Sequence, residues 1–214
     1  FSEEAHLSNE KFGSVKDVMI LKNFLFDWGE HVGDLKFGEL LDEWNVHLSS
    51  SGVVLLGYAF FVLVALGMVL SVKKRNYYAL PFGAVFLLSV FFLLNTNPPF
   101  GFIFKFFQDT IPLFAEAFRF PFTKFSILLA FTYSIFFGAF FAYLFNSIQE
   151  WFGKPLIRNI AIFTIITLTV VSLVHYMKPV FTGHLISSSM RVDTPDRYFD
   201  MFSYFDSQHE YGRV

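Results

Sequence analysis

The run Glu116-Ala-Phe-Arg119-Phe-Pro121-Phe-Thr-Lys124-Phe125 sets two cations and one carboxylate among closely spaced phenylalanines. A phosphate held at a membrane surface asks for this combination: a guanidinium for a forked pair of hydrogen bonds, an ammonium for charge, and apolar side chains for a lipid tail. Lys105 adds a third cation upstream. The same side chains also suit simple anchoring, with alkyl stems in apolar surroundings and charges among headgroups. Arg119, Lys124 and Lys105 are therefore candidate ligands for a lipid phosphate, with anchoring as the alternative.

A second concentration of polar chemistry comes earlier, in Asp27, Glu30, His31, Asp34, Glu39, Asp42, Glu43 and His47. On a helix, Asp27, His31 and Asp34 would share a face, and two carboxylates with an imidazole suit a divalent ion or an acid and base. A solvated helix face produces the same pattern, so no metal ligand and no catalytic residue is assigned. No cofactor is expected in this chain, while a divalent metal stays open. His175 falls late in an apolar run, where an interfacial or packing role fits better than proton relay. The apolar runs hold no other acid or base, which argues against ion-coupled transport, because transporters place such groups at membrane depth.

The elements that position these residues follow from composition. Of 214 residues, 54% are apolar and only 16% charged, against about 25% charged in soluble domains. Residues 76–104, 126–149 and 159–177 contain no Asp, Glu, Lys or Arg. A hydrocarbon layer about 30 Å thick needs roughly 20 apolar residues in helix, and four segments qualify: Gly52 to Val72, Ala79 to Asn95, Phe125 to Ile148 and Ile160 to Met177. The expected fold is all-α, a polytopic membrane helical bundle of about four transmembrane helices plus exterior amphipathic helices. A net charge of -2 supplies no basic field for nucleic acid. The absence of cysteine excludes disulfides and thiolate chemistry.

Lys73, Lys74 and Arg75 follow the first span, and Lys154 and Arg158 follow the third. Lys and Arg are retained on the cytoplasmic side, so both ends of the chain are expected on the extracytoplasmic side of the membrane. Residues 1–50 form an exterior segment in which Leu21, Phe24, Leu25, Trp28, Val32 and Leu35, then Leu40, Leu41 and Trp44, recur at three- and four-residue steps. That spacing predicts two short amphipathic helices near the interface, with Gly29, Gly33 and Gly38 preventing one long helix. Residues 51–178 form the four-span region. Within it, about 97–124 makes a re-entrant or interfacial hairpin, its Phe104, Phe107, Ile111, Phe114 and Phe118 on one face and Pro112 breaking the helix or starting its second half. Residues 179–214 read as the start of an exterior domain, with Thr194 and Pro195 opening a helix whose Tyr198, Met201, Phe202 and Phe205 share a side.

Along the third span Ala130, Ser134, Gly138, Ala142 and Asn146 recur at every fourth position. A line of small residues lets another helix approach closely. It predicts the packing face there, with Phe136, Phe137, Phe140 and Phe141 turned elsewhere.

Three groups of residues carry a family resemblance. They are Asp27-Trp-Gly-Glu30 with Gly38-Glu-Leu-Leu-Asp-Glu-Trp44 before a span, Phe118-Arg119-Phe-Pro121-Phe-Thr-Lys124-Phe125 entering another, and Pro195-Asp-Arg-Tyr198-Phe199 before Gly212-Arg213-Val214. They resemble the C-terminal transmembrane part of envelope proteins related to the GT-C class of membrane glycosyltransferases, the arabinofuranosyltransferase-like and YfhO-like bacterial membrane proteins. The resemblance implies a piece of a longer protein that takes sugar from a polyprenyl-phosphate donor. Its catalytic acid would lie in an earlier exterior loop, and its partners would be membrane lipid and the remaining helices and exterior domain of the parent chain. A non-catalytic scaffold or exporter of envelope polymers is the alternative.

Overall fold

A backbone in hydrocarbon finds no water to bond with and must satisfy its own N–H and C=O groups, which favours helices. The computed structural model of the chain describes residues 13–22, 29–31, 37–39, 41–185 and 196–207. Among them the fold is an all-α bundle with one small two-stranded ribbon. In chain order the elements are α1 (Val15–Met19), β1 (Gly29–His31), β2 (Phe37–Glu39), α2 (Asp42–Ser49), α3 (Ser51–Lys73) and α4 (Ala79–Leu94). They continue with α5 (Gly101–Thr110), α6 (Phe114–Ala117), α7 (Phe122–Trp151), α8 (Pro155–Tyr176), α9 (Lys178–Phe181) and α10 (Asp196–Ser207).

Three helices, α3, α7 and α8, are long and apolar enough to cross a membrane. At 1.5 Å per residue they measure about 35, 45 and 33 Å. The fourth expected span, α4, has 16 residues and measures about 24 Å, short of the hydrocarbon thickness. The turn before it carries an interfacial group: Tyr77 is 92% exposed, and Asn76 Nδ2 donates to the hydroxyls of Tyr78 (3.1 Å) and Tyr143. Tyr78 titrates below its ordinary pKa, first through the Ser71 hydroxyl, against the opposing effect of burial, with Tyr143 and Asn76 adding to the lowering.

Lipid tails are as apolar as leucine, so these helices associate through fit rather than through escape from water. The buried face of α3 is Val53, Gly57, Phe60, Val64, Gly67 and Ser71, one stripe at alternating four- and three-residue steps. Gly67 meets α7 so closely that a Cβ there would stand 1.9 Å from the Phe136 carbonyl oxygen. Phe136 is fully buried, its ring 6.2 Å from that of Phe86 on α4. The core is thus a three-helix contact of α3, α4 and α7.

Helix directions follow from which ends meet. Gly57 and Phe60 lie with Ala130 and Tyr133, whereas the far end of α3 leads to Asn76, which bonds Tyr143; α3 and α7 are parallel. In contrast, Phe92 near the end of α4 stacks on Phe125 near the start of α7, 4.2 Å apart and 3° from parallel. Tyr176 at the end of α8 returns to Phe60, with ring centroids 5.5 Å apart. The turns around Arg75 and Gly153 therefore lie at one end of the bundle. The other end carries α1, α2, α9 and the α5–α6 hairpin.

That end is tied by polar contacts. Ser14 caps α1, its Oγ accepting from the Asp17 amide at 3.2 Å. Lys22 Nζ donates to Asn45 Oδ1 at 3.1 Å, Trp44 Nε1 to the His184 carbonyl at 2.8 Å, and the Tyr176 hydroxyl to the Ile20 carbonyl at 2.5 Å.

Two expectations for the exterior segments change. The helix expected from Leu21 to Leu35 does not pass through Gly29–His31, which pairs antiparallel with Phe37–Glu39 in the register Gly29 to Glu39 and His31 to Phe37. Glycine is about 1 kcal/mol poorer than alanine in a helix, and Gly29 and Gly38 both fall in the ribbon. The helical face proposed for Asp27, His31 and Asp34 therefore does not form at His31, while Asp27 and Asp34 lie outside the described residues. The second expected helix does form, as α2, with Trp44 and Leu48 buried. Near the other terminus, Tyr198, Met201, Phe202 and Phe205 lie in α10 and all are exposed. Thr194, Pro195 and Gly212-Arg213-Val214 lie outside the described residues.

Candidate lipid-phosphate site

The chain holds 33 phenylalanines, and one cluster of them builds the candidate site. After α4 the chain turns through a Pro98–Pro99 cis peptide into α5, where Gly101 is required because a Cβ would stand 1.9 Å from the Thr96 carbonyl oxygen. Helix α5 ends before Pro112, and Leu113 takes a left-handed φ of 66° as the chain reverses into α6. This break is what proline imposes, since it lacks the N–H that would continue the helix.

The hairpin folds its expected inner face onto the end of α4 and the start of α7. Phe104 is 2% exposed, with rings of Phe91, Phe92 and Phe114 at 6.0, 6.1 and 5.3 Å. Phe118 lies 4.4 Å from Phe92 and 4.7 Å from Phe114. Phe107 joins through Phe114 at 5.6 Å. Ile111, expected on the same face, is exposed, and so are Phe102, Phe106 and Leu113. The hairpin therefore has aromatic surface on both sides. One side plugs the bundle; the other is available to lipid.

Arg119 and Lys124 stand at the corner where this hairpin enters α7. The Arg119 guanidinium lies 5.1 Å from the Phe120 ring centroid, and the Lys124 ammonium 5.7 Å from that of Phe118. Such contacts supply about 0.5–1 kcal/mol at exposed sites. Lys124 Nζ also donates to the Ala117 carbonyl, which fixes it over the α6 terminus. Arg119 is half-buried, whereas Lys124 and Lys105 are exposed. The structure brings Arg119 and Lys124 to one aromatic corner. Lys105 lies on α5.

The small residues of α7 turn out to face away from the core. Ala130, Ser134, Gly138, Ala142 and Asn146 are all exposed, and a Cβ at Gly138 would meet nothing within 4 Å. The buried face is Leu129, Thr132, Tyr133, Phe136 and Ala139. The reason lies on the partner helix. Gly67 supplies the close approach from α3, so α7 can meet it with phenylalanine instead of glycine.

Of the remaining candidates, His47 and His175 lie together. His175 is exposed, its ring 5.8 Å from His47 and nearly perpendicular to it. His47 Nε2 donates toward the His175 and Tyr176 carbonyls at 3.1 and 3.2 Å, satisfying groups that the end of a helix leaves open. Among the described residues no three His, Asp or Glu side chains gather closely enough to hold a metal ion. Sequence reasoning missed Tyr133 and Tyr176, which line the same space between α3, α7 and α8. Their only signal was a phenol on an otherwise apolar face.

Comparison with protein-family models, with curated proteins and with solved structures finds no match to this chain.

Proposed function

We propose that this chain is a membrane-embedded part of a protein of envelope polysaccharide or glycolipid assembly, one that holds a polyprenyl-phosphate sugar in the manner of the GT-C-class glycosyltransferases. Arg119 and Lys124 grip the phosphate, and the exposed Phe102 and Phe106 of the hairpin border the path of the prenyl tail. The observation that carries this reading is two cations, Arg119 over the Phe120 ring and Lys124 over the Phe118 ring, where the hairpin enters α7 at a bundle end. That end is opposite the turn bearing Lys73, Lys74 and Arg75. Under the rule that basic turns stay cytoplasmic, the corner faces outward from a prokaryotic plasma membrane, where a flipped lipid-linked sugar is presented.

The test is transfer of labelled sugar from a polyprenyl-phosphate donor by membranes containing the full-length protein. Arg119→Ala should raise the donor KM about ten-fold or more, since hydrogen bonds to charged groups contribute about 1.5–3 kcal/mol. Lys74→Ala, at the opposite end, should leave it unchanged. Equal effects of the two substitutions would remove the phosphate role.

A second reading, a non-catalytic scaffold or exporter, draws on α8. This 22-residue apolar helix buries none of its residues, which suits a helix that waits for other membrane segments. On that reading no donor supports transfer, and partners co-purify equally well with wild-type protein and with Arg119→Ala.

A further inference from the structure

We infer that the turn after α3 and the groove between α3 and α4 bind one anionic glycerophospholipid, its headgroup on Lys73, Lys74 and Arg75 and an acyl chain between the two helices. The site lies at the other bundle end from Arg119 and Lys124 and does not rest on them.

The headgroup half is a fixed basic turn. Arg75 takes a left-handed φ of 54°, and the next residue ties the turn down: the Asn76 amide donates to the Ser71 carbonyl at 3.1 Å, and its Nδ2 to the hydroxyls of Tyr78 and of Tyr143 on α7. All three cations are exposed, and among the described residues their side chains make no hydrogen bond or ion pair. The bundle brings little counter-charge to them. Of the acids between Ser51 and Lys178, Asp109 and Glu116 belong to the hairpin, and only Glu150 stands at this end, where Lys154 and Arg158 add to the positive charge. Five cations with one carboxylate, beside membrane spans, attract anionic lipid.

The acyl half is the groove. Lys73 joins the two, because it also lines the groove, with Val69 and Val72 of α3 and Leu80, Gly83 and Ala84 of α4. Val69, Val72, Leu80 and Ala84 are exposed, and the small residues at 83 and 84 leave room for a chain. A lysine stem can follow such a wall while its ammonium stays among headgroups, the layer that suits the exposed ring of Tyr77.

Charge selects the occupant. Another membrane helix would have to bring an anion to this corner, and membrane helices seldom carry one. Free phosphate would meet the cations and leave the groove empty, and a zwitterionic lipid would fill the groove but bring its own cation. An anionic glycerophospholipid answers both halves.

The test uses the full chain in phosphatidylcholine vesicles with a trace of phosphatidylglycerol carrying a photoactivatable diazirine on its acyl chain, against a phosphatidylcholine probe with the same chains. Adducts are mapped by mass spectrometry. On residues 68–73 and 79–87 the phosphatidylglycerol probe should label about ten-fold more at low salt. That preference should fall to about two-fold or less near 1 M salt, where the screening length is about 3 Å. Lys73→Gln should lower it about three-fold. Ala84→Trp should remove the adducts of both probes from these residues, and since Ala84 is exposed, its thermal unfolding should match wild type. Equal labelling by the two probes at low salt would overturn the proposal. So would adducts indifferent to Ala84→Trp, or a groove that neither probe labels, as one covered by protein would be.

Discussion

Gly67→Ala, a change of one methyl group, is expected to separate α3 from α7. The added Cβ would lie 1.9 Å from the Phe136 carbonyl oxygen, 2.9 Å from its carbon and 3.0 Å from the Phe140 nitrogen. All three atoms are backbone inside a helix, so no rotamer change makes room, and one helix must move bodily. Overpacking of a close contact costs about 1–3 kcal/mol when side chains can adjust. Here they cannot, and the loss should be at least about 3 kcal/mol, read as a large drop in detergent unfolding temperature. Gly138→Ala on the opposite face of α7 should fall within about 0.5 kcal/mol of wild type. If the two substitutions behaved alike, α7 would be packing through its small residues after all.

Phe104→Ala is expected to release the hairpin while leaving the three-helix core intact. Phe104 is the hairpin's one fully buried large side chain, held between Phe91, Phe92 and Phe114. Truncating such a residue costs about 3–5 kcal/mol, through lost contacts and the cavity left behind. The expected signature is faster proteolysis within 101–120 at an unchanged unfolding temperature for α3 and α7. Since Lys124 rests over Phe118 and the Ala117 carbonyl, the proposed donor binding should fall with it. Phe106→Ala, on the exposed side of the same helix, is the matched control and should leave the hairpin protected. Loss of the whole fold in Phe104→Ala would show that the hairpin belongs to the core instead of covering it.

The spans were legible because desolvation leaves a chain in lipid few choices: uncharged runs of sufficient length must be helices. Their ends were less so. Helix α8 starts at Pro155, five residues before its expected apolar start, because proline at the first helical position loses no hydrogen bond. That places Arg158 inside the helix but at its end, where it can reach the interface. The hairpin was legible from Phe104, Phe107, Phe114 and Phe118, since their spacing and Pro112 together specify two short helices.

Two features were not legible, for different reasons. From Leu21 to Leu35 a helical period coincides with glycines that favour other backbone conformations, and the ribbon prevails where Gly29 and Gly38 fall. In α7 the pattern of small residues is real, but which face packs depends on the partner. The close approach is made by Gly67 of α3, and nothing in the period of α7 announces it. The candidate corner lies between these cases: Arg119 and Lys124 were identifiable by type, while the rings that they lie over, Phe120 and Phe118, depend on how the hairpin folds back.

Only if α4 traverses the membrane despite its 16 residues does the Arg119–Lys124 corner lie on the side opposite Lys74. The chain has no cysteine, so single substitutions Lys74→Cys, Glu116→Cys, Gly153→Cys and His184→Cys can be tested with a membrane-impermeant thiol reagent in sealed vesicles. Cysteines at 116 and 184 should react from one side, and those at 74 and 153 only from the other. Labelling of positions 74 and 116 from the same side would contradict the topology, and with it the outward-facing phosphate corner.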